Sequence, residues 1–367
     1  MGFACGIVGL PNVGKSTLFN CLSNARAESA NYPFCTIEPN VGVVDVPDLR
    51  LKALADVVTP ERIVPATVRF VDIAGIVRGA SKGEGLGNKF LAHIRDVDAV
   101  VHVVRCFTDE NVVHVDGAVN PIRDVETIET ELIFADLDTV ERRLERARKM
   151  SKGADVVEKK AVPFCEGLLA HLQTGKPARS FPTGDDDDVK RVLRDMHLLT
   201  SKPTLFVANV DEGGFDPKKN PHLAVLMDLA KARGDDVVPI CAKIEAELAE
   251  LSPDERALYL AELGLDEAGL SKLIRSGYKL LGLATYFTAG VKEVRAWTIP
   301  KACKAPQAAG VIHTDFERGF IKAEVMWWED FVSLKGEAGA RAAGKLSLEG
   351  KEYLVKDGDV MHFKFNV

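Results

Sequence analysis

The residues with the clearest chemical meaning form a glycine-rich loop near the start of the chain. Gly9, Gly14, Lys15 and Ser16 fit the pattern G-x-x-x-x-G-K-S at every fixed position. An apolar run over residues 3–8 precedes the loop and a helical pattern follows it, as in proteins that wrap such a loop around phosphate groups. Glycines let backbone N–H groups turn toward phosphate oxygens, and the helix N-terminus adds its positive end. The pattern predicts a nucleoside triphosphate site.

The residue types inside this loop predict individual contacts. We expect Lys15 to reach the β- and γ-phosphates, and the Ser16 hydroxyl to coordinate Mg²⁺. The lysine is therefore also a predicted catalytic residue, because it neutralises charge on the transferred group. The predicted nucleotide-binding residues of the loop are consecutive, namely Asn12, Val13, Gly14, Lys15, Ser16 and Thr17.

A second element follows an apolar strand pattern about 56 residues after Ser16 and reads Asp72-Ile-Ala-Gly75. An Asp in this position holds Mg²⁺ through water, and the Gly N–H can sense the γ-phosphate. The glycine-rich stretch 75–87 is typical of a mobile switch. Thr36, between the two elements, is the candidate switch threonine that closes on Mg²⁺. The predicted metal ligands are therefore Ser16, Thr36 and Asp72, and Gly75 is a predicted catalytic group.

The residue after Gly75 is Ile76, where many GTPases carry the glutamine that orients the attacking water. Isoleucine cannot hydrogen-bond water. Another side chain or a backbone group must therefore fill that role, and we expect slow intrinsic hydrolysis.

The base-recognition element departs from the GTPase pattern Asn-Lys-x-Asp. A strand pattern over residues 204–208 runs into Asn209-Val210-Asp211-Glu212. Val210 replaces the lysine, and the glutamate is one methylene longer than the aspartate that pairs with guanine. Poorly paired buried polar groups are costly, so the longer side chain should weaken guanine binding. Asn209 can still pair with adenine, so Asn209, Val210 and Glu212 predict ATP rather than GTP.

The elements around these residues alternate between strand and helix. Further strand patterns lie at 41–46, 67–73, 99–104 and 237–241, with helical stretches between most of them. Such alternation predicts an α/β fold with a mostly parallel sheet covered on both faces.

The alternation stops between about residues 122 and 201. Residues 125–150 predict one long helix, a break follows at 151–155, and a second helical pattern continues to about residue 173. We expect an inserted antiparallel helical hairpin. The stretch 141–160 holds eight basic and four acidic residues, in a chain of net charge −7. It is either a solvated helix face or a contact for RNA phosphates or an acidic partner.

The predicted secondary-structure pattern changes again in the last part of the chain. Strand patterns at 285–288, 293–299, 320–326 and 361–366 surround one predicted helix over 328–339. These predict a small α+β domain.

Taken together, these residues resemble the YchF-type Obg-like ATPases, a branch of the translation-factor-related P-loop GTPases. The resemblance covers nearly the whole chain, and its most specific parts are Tyr278–Pro300 and the closing Asp357–Val367. It implies a P-loop nucleotide-binding domain (1–124 and 200–282), a coiled-coil hairpin (125–199) and a C-terminal ubiquitin-like TGS domain of β-grasp fold (283–367).

The resemblance also implies a function: ATP hydrolysis in preference to GTP, ribosome binding, and a link to translation control and the stress response. His114 matches the histidine thought to handle the catalytic water, although the sequence alone favours an ordinary loop histidine. Asn12 matches an asparagine associated with K⁺ in related enzymes. The implied cofactors are Mg²⁺ and K⁺, and the implied partners are ATP, the ribosome and ribosomal RNA.

Composition limits the classes of function and of partner that remain. No apolar run is long enough to span a membrane, and the mild acidity argues against a surface devoted to nucleic acid, so we expect neither membrane nor DNA as partner. Seven scattered cysteines without a C-x-x-C pair indicate reduced thiols in the cytoplasm. The alternatives to a ribosome-bound ATPase switch are a ribosome-assembly GTPase, an adaptor with a structural nucleotide, and a small-molecule kinase.

Overall fold

The computed structural model describes residues 3–25, 40–73, 86–114, 117–153 and 155–366. The strands are β1 Ala4–Val8, β2 Val41–Asp45, β3 Ile63–Val64, β4 Thr67–Asp72, β5 Ala99–Arg105, β6 Thr204–Asn209, β7 Asp236–Ile240, β8 Leu283–Ala289, β9 Val294–Pro300, β10 Phe320–Trp327, β11 Ser347–Glu349 and β12 Asp359–Phe365. The helices are α1 Lys15–Ala25, α2 Leu49–Val58, α3 Leu86–Asp96, α4 Pro121–Met150, α5 Val156–Gln173, α6 Asp187–Asp195, α7 Pro221–Arg233, α8 Ala242–Glu250, α9 Pro253–Glu262, α10 Gly269–Leu280, α11 Ala305–Ile312, α12 Thr314–Arg318, α13 Trp328–Ser333 and α14 Glu337–Ala342.

The first sheet has the strand order β2-β4-β1-β5-β6-β7. Strands β4, β1, β5, β6 and β7 pair in parallel. Every residue of β1, β5 and β6 is buried, which explains why these strands read as continuous apolar runs rather than as alternating patterns. The predicted α/β fold with a mostly parallel sheet is confirmed. Because parallel strands end at one edge, the loops after β1, β5, β6 and β7 meet there, and β4 ends at the same edge with Asp72.

Helices α4 and α5 form the predicted helical hairpin. Asn120 caps the start of α4 by accepting from Arg123 N at 3.1 Å, and Asp155 caps α5 by accepting from Val157 N at 2.9 Å. The break between the helices therefore has a local cause, since Asp is a favoured cap residue. The apolar side chains between the two helices are Val140, Leu144, Ala147, Ala161, Cys165 and Leu168.

Buried polar contacts fix the base of the hairpin. The carboxylate of Asp136 on α4 accepts from Thr200 N at 2.8 Å and from its hydroxyl at 2.6 Å. Burial raises the pKa of Asp136. Glu129, nearer the start of α4, accepts from Arg179 at 2.9 Å and from Arg233 of α7 at 2.6 Å. Removing one member of such a buried set leaves its partners unpaired, so these contacts specify where α4 emerges.

The chain divides into two compact units, residues 1–42 with 69–273 and residues 43–68 with 274–367. The second unit holds a mixed sheet in the order β11-β10-β12-β8-β9-β3, with α11 and α12 packed on one face. The strand patterns predicted in the last part of the chain are all found there. The three-domain division inferred from the resemblance stays a proposal. It places residues 43–68 with the nucleotide-binding domain, whereas they pack here with the C-terminal residues.

One local prediction in this region was wrong. The sequence predicts a single helix over 328–339, but α13 ends at Ser333 and α14 begins at Glu337. Lys335 and Gly336 between them have φ values of 60° and 105°, which a right-handed helix cannot contain. Gly336 adopts such a conformation without steric cost, so it separates the two helices.

The described residues contain no helix long and apolar enough to cross a membrane.

Candidate nucleotide site

A cleft of about 1120 Å³ lies in the first unit, at the edge of the sheet where the parallel strands end. Its volume is sufficient for a ligand of nucleotide size. The residues that line it come from the loops after β1, β5, β6 and β7, and are Leu10, Pro11, Asn12, Gly14, Lys15, Ser16, Thr17, Phe107, Thr108, Asp109, Val112, Asn209, Val210, Asp211, Glu212, Gly213, Cys241, Ala242, Lys243 and Ala246.

The phosphate-binding loop connects β1 to α1 as predicted. Lys15 and Ser16 open α1, so their side chains stand at the helix N-terminus, where phosphate binds favourably. Lys15 Nζ donates to the carboxylate of Asp72 at the end of β4. This contact follows from the sheet, because β1 and β4 are parallel neighbours with Ile7 opposite Asp72. The structure thus brings together the predicted cationic group and one predicted metal ligand.

Asn209, predicted to read the base, connects two loops of the cleft. Its side-chain Nδ2 donates to Val13 O at 2.9 Å, and its Oδ1 accepts from Ala242 N at 3.1 Å. The amide approaches the loop so closely that a Cβ at Gly14 would collide with it, and Gly14 has a φ of 91°. Only glycine suits both conditions. Asn209 is therefore a structural tie within the cleft as well as a candidate base contact.

The other two predicted residues of the base-recognition element lie in different surroundings, Val210 in the hydrophobic core and Glu212 at the rim of the cleft. Val210 is buried in the core that packs α7 and α8 on the sheet. Glu212 is about half exposed at the rim, where Lys243 Nζ donates to its Oε1 at 2.6 Å. The lysine that faces this part of the cleft thus comes from α8, in place of the one missing from the Asn-Lys-x-Asp pattern.

Arg105 is a contributor that the sequence reasoning did not identify. The side chain is fully buried at the end of β5, and its guanidinium donates to the carbonyls of Phe107 (3.2 Å), Asp109 (3.2 Å) and Val112 (2.9 Å). The guanidinium also stacks over the Phe107 ring, 4.5 Å from its centroid. Residues 107–112 form one wall of the cleft, so Arg105 shapes that wall from beneath. An arginine that ends a strand pattern made mostly of valines was the available signal.

His114 has a different environment from the other predicted catalytic residue. Its Nε2 lies 2.9 Å from Asp124 Oδ2 on the first turn of α4, and both side chains are buried. His114 is not among the residues that line the cleft. Its neighbour Val113 does reach the phosphate loop, since Asn12 Nδ2 donates to Val113 O at 3.2 Å.

Comparison with known proteins identifies the family of the chain. The family model described as "50S ribosome-binding GTPase" matches residues 4–152, and the YchF GTPase C-terminal model, described as a protein of unknown function, matches residues 283–366. The protein named "Ribosome-binding ATPase YchF" in Pasteurella multocida is 58% identical over 367 residues, and its Bacillus subtilis counterpart is 55% identical over 368 residues, with all of each chain covered. The chain belongs to the YchF family. The solved structure of the Schizosaccharomyces pombe YchF GTPase matches with a TM-score of 0.89 at 40% identity, covering 99% of this chain and 98% of that one.

Two of the predicted YchF site residues, Thr36 and Gly75, lie outside the described residues. The described part of the predicted Mg²⁺ site consists of the Ser16 hydroxyl and the Asp72 carboxylate, which are hard oxygen donors. Such donors suit Mg²⁺, which binds in nucleotide sites through one or two protein oxygens together with phosphate oxygens and water. The contact between Asp72 and Lys15 places this donor next to the expected phosphate position, so the residues present fit the ion.

A buried thiol also lines the cleft of this YchF-family chain. Cys241 precedes α8, and burial raises its pKa. Burial likewise raises the pKa of Cys5 on β1, to about 12. Thiols in such surroundings stay protonated and unreactive. Cys35, beside the candidate switch threonine, lies outside the described residues.

Proposed function

We propose that this protein is a slow, Mg²⁺-dependent ATPase that acts as a nucleotide-switched, ribosome-binding regulator of translation or the stress response. The support is the cleft itself, which is lined by Lys15, Ser16 and the altered base-recognition element, with the carboxylate of Asp72 accepting from Lys15. The relatives from P. multocida and B. subtilis are named ribosome-binding ATPases, which supports the same function and a cytoplasmic location.

In this proposal the phosphates lie against the loop Asn12–Thr17, and Lys15 exchanges its contact with Asp72 for the β- and γ-phosphates. Ser16, Thr36 and Asp72 would hold Mg²⁺, which would neutralise charge on the phosphates. Gly75 N–H senses the γ-phosphate. This is electrostatic stabilisation, which is the main contribution of P-loop proteins to phosphoryl transfer.

The proposal for base selectivity has one principal support. Glu212 lies at the rim and is bonded to Lys243, so it would have to break that contact to pair with guanine. Asn209 is bonded to Val13 O and Ala242 N, yet each of its polar atoms can take part in one more hydrogen bond. Adenine can be recognised by a single amide, whereas guanine recognition requires a precisely placed carboxylate. The arrangement of Asn209 and Glu212 therefore fits adenine better.

Water handling and the monovalent ion are further parts of the proposal. With isoleucine in place of glutamine at position 76, His114 is the candidate for orienting water, which requires it to leave Asp124. K⁺ would bind near Asn12, where a positive charge offsets charge that develops at the β–γ bridge. The basic tip of the hairpin is the candidate contact with ribosomal RNA.

The deciding experiment compares Mg²⁺-dependent binding of ATP and GTP to the purified protein in KCl. We expect ATP to bind at least tenfold more tightly, which corresponds to about 1.4 kcal/mol. A repeat in NaCl tests the K⁺ site. Tighter binding of GTP would contradict the base-selectivity argument and would favour a GTPase of ribosome assembly on the same fold.

A further inference from the structure

A buried hydrogen bond joins the segment that follows the cleft wall to the base of the helical hairpin. The His114 and Asp124 side chains are 4% and 2% exposed, with Nε2 and Oδ2 2.9 Å apart. An ionised carboxylate can only accept, so His114 must carry its proton on Nε2 and donate it. This contact fixes the imidazole against α4, and His114 is not among the residues that line the cleft.

The position of Asp124 favours this closed arrangement. It lies in the first turn of α4, where the positive end of the helix stabilises a carboxylate. Its backbone N–H donates to Asn120 O at 3.0 Å, within the helix cap. Burial and the nearby Asp124 charge together raise the pKa of Cys106 to about 12. Opening the pair would leave two buried polar groups without each other, which is unfavourable.

The segment that carries His114 contacts both the nucleotide site and the hairpin. On one side, Phe107–Asp109 and Val112 line the cleft, and Val113 O accepts from Asn12 of the phosphate loop. On the other side, His114 is held by α4, which continues for 30 residues to the basic tip of the hairpin. A force that acts on the tip is thus exerted on the same helix that carries Asp124.

We propose that Asp124 is a positioning residue that restrains His114 away from the nucleotide until the base of α4 moves. The inference rests on the proposed function, in which His114 orients the attacking water. The Asp124 contact is then a second cause of slow basal turnover, in addition to the missing glutamine at position 76. Engagement of the hairpin tip by its partner releases the histidine, so the partner accelerates hydrolysis.

The test is Asp124→Asn in the full-length protein. Asparagine keeps the size of the side chain and an acceptor oxygen, but hydrogen bonds to neutral groups are about half as strong as those to charged ones. We expect kcat for ATP to rise at least threefold without ribosomes, while the Kd for ATP changes less than twofold. In the double variant Asp124→Asn, His114→Ala, kcat should fall to the level of His114→Ala alone. Purified ribosomes should stimulate Asp124→Asn less than the unmodified protein.

The matched control is Asp136→Asn, which alters an equally buried carboxylate on the same helix whose partner is Thr200 rather than His114. It should lower stability without raising kcat. An equal rise in this control would overturn the proposal, because loosening of the hairpin would then suffice. Unchanged or lower kcat in folded Asp124→Asn would also overturn it. Asp124→Ser carries the same expectations and serves as the second variant if Asp124→Asn does not fold.

The outcomes separate the inference from the function on which it rests. If His114→Ala leaves kcat unchanged, the proposed catalytic role of His114 is wrong and the restraint has nothing to control. If His114→Ala lowers kcat but Asp124→Asn does not raise it, only the restraint is wrong.

Discussion

At the scale of single residues, the cleft shows side chains that serve structure and recognition together. Asn209 holds the phosphate loop to the loop before α8, and Gly14 makes room for its amide. Arg105 fixes the opposite wall through three backbone carbonyls. A guanidinium that is buried without a carboxylate among its described hydrogen-bond partners is costly, so its fork of donors must be well satisfied. The site is therefore shaped before a ligand arrives.

The base-selectivity argument makes a prediction at this scale. Glu212→Asp shortens the carboxylate to the length used in Asn-Lys-x-Asp and weakens its bond to Lys243. We expect the ratio of GTP to ATP affinity to rise about tenfold, measured by titration with fluorescent nucleotides in Mg²⁺. Lys243→Ala is the matched control, because it frees Glu212 without shortening it and should change the ratio less. A ratio that is unchanged in Glu212→Asp would show that this carboxylate does not read the base.

At the scale of elements, strand β5 combines core packing with a buried titratable group. His102 lies in the middle of β5, with its ring 5.6 Å from that of Phe206. Burial lowers its pKa to about 4. This pKa of about 4 already includes the charge of Glu129, which raises it, and the charges of Arg179 and Arg233, which lower it. His102 is therefore neutral in the folded protein at pH 7.

This burial predicts a specific dependence of stability on pH. The unfolded chain binds a proton at His102 near pH 6.5, whereas the folded protein binds it only near pH 4, so stability is lost as the pH falls through that window. The loss from this group is on the order of 3 kcal/mol. His102→Leu should remove that part of the loss in urea unfolding between pH 7 and pH 4. His93→Gln, which changes an exposed histidine on α3, should leave the slope as it is.

The hairpin is the second element with a testable role, and the structure refines which of its basic residues could contact RNA. Arg143 donates to both carboxylate oxygens of Glu158 at 2.8 and 3.1 Å, and Arg148 donates to Glu166 at 2.7 Å. The Arg143 and Arg148 side chains therefore form contacts within the hairpin. Three other basic residues, at spacing i, i+4 and i+7, share one exposed face of α4, and they are Arg142, Arg146 and Lys149.

If this face contacts RNA, reversing two of its charges should weaken ribosome binding. We expect the double variant Arg146→Glu, Lys149→Glu to reduce co-sedimentation with ribosomes. The slope of log affinity against log salt should also fall by about 1 for each phosphate that the variant no longer neutralises. Lys218→Glu, Lys219→Glu makes the same charge change at another exposed site of the same unit and is the control. Equal binding by both variants would show that the hairpin face is solvated and does not bind RNA.

At the scale of the whole molecule, the second compact unit is built from two separate parts of the chain. Strand β3 pairs in parallel with β9, with Ile63 opposite Val294. In α2, Leu51 and Leu54 are buried. The Arg50 guanidinium lies 5.2 Å from the centroid of the Phe287 ring and donates to Asp357 at 3.1 Å, joining α2 to the C-terminal sheet. Residues 43–68 therefore complete the hydrophobic core formed by residues 274–367.

This arrangement predicts how fragments behave. A fragment of residues 274–367 lacks α2 and β3 and should expose the face of its sheet around Phe287 to water. Joining residues 43–68 to it through a flexible linker should restore a cooperative unfolding transition, measured by circular dichroism in urea. The control is the same fusion with Leu51→Asp and Leu54→Asp, which keeps the length but not the packing. If fragment 274–367 alone unfolds at the same urea concentration as the fusion, the early segment contributes nothing.

The sequence by itself determined the features that depend on local pattern. The phosphate loop, the strands of the parallel sheet, the two long helices and the late strands follow from glycine spacing, apolar runs and helical periodicity. All of these lie within segments of a few residues to a few turns, where composition and backbone geometry are directly related.

Only the tertiary structure decided which distant residues touch. It placed Arg105 beneath the cleft wall, His114 against Asp124, Asn209 between two loops, and residues 43–68 on the C-terminal sheet. Each of these arrangements depends on which strands become neighbours and on which side chains the close-packed interior leaves room for. The strand order and the side-chain packing together minimise the number of buried polar groups without a partner, over the whole chain. No single segment of the sequence determines them.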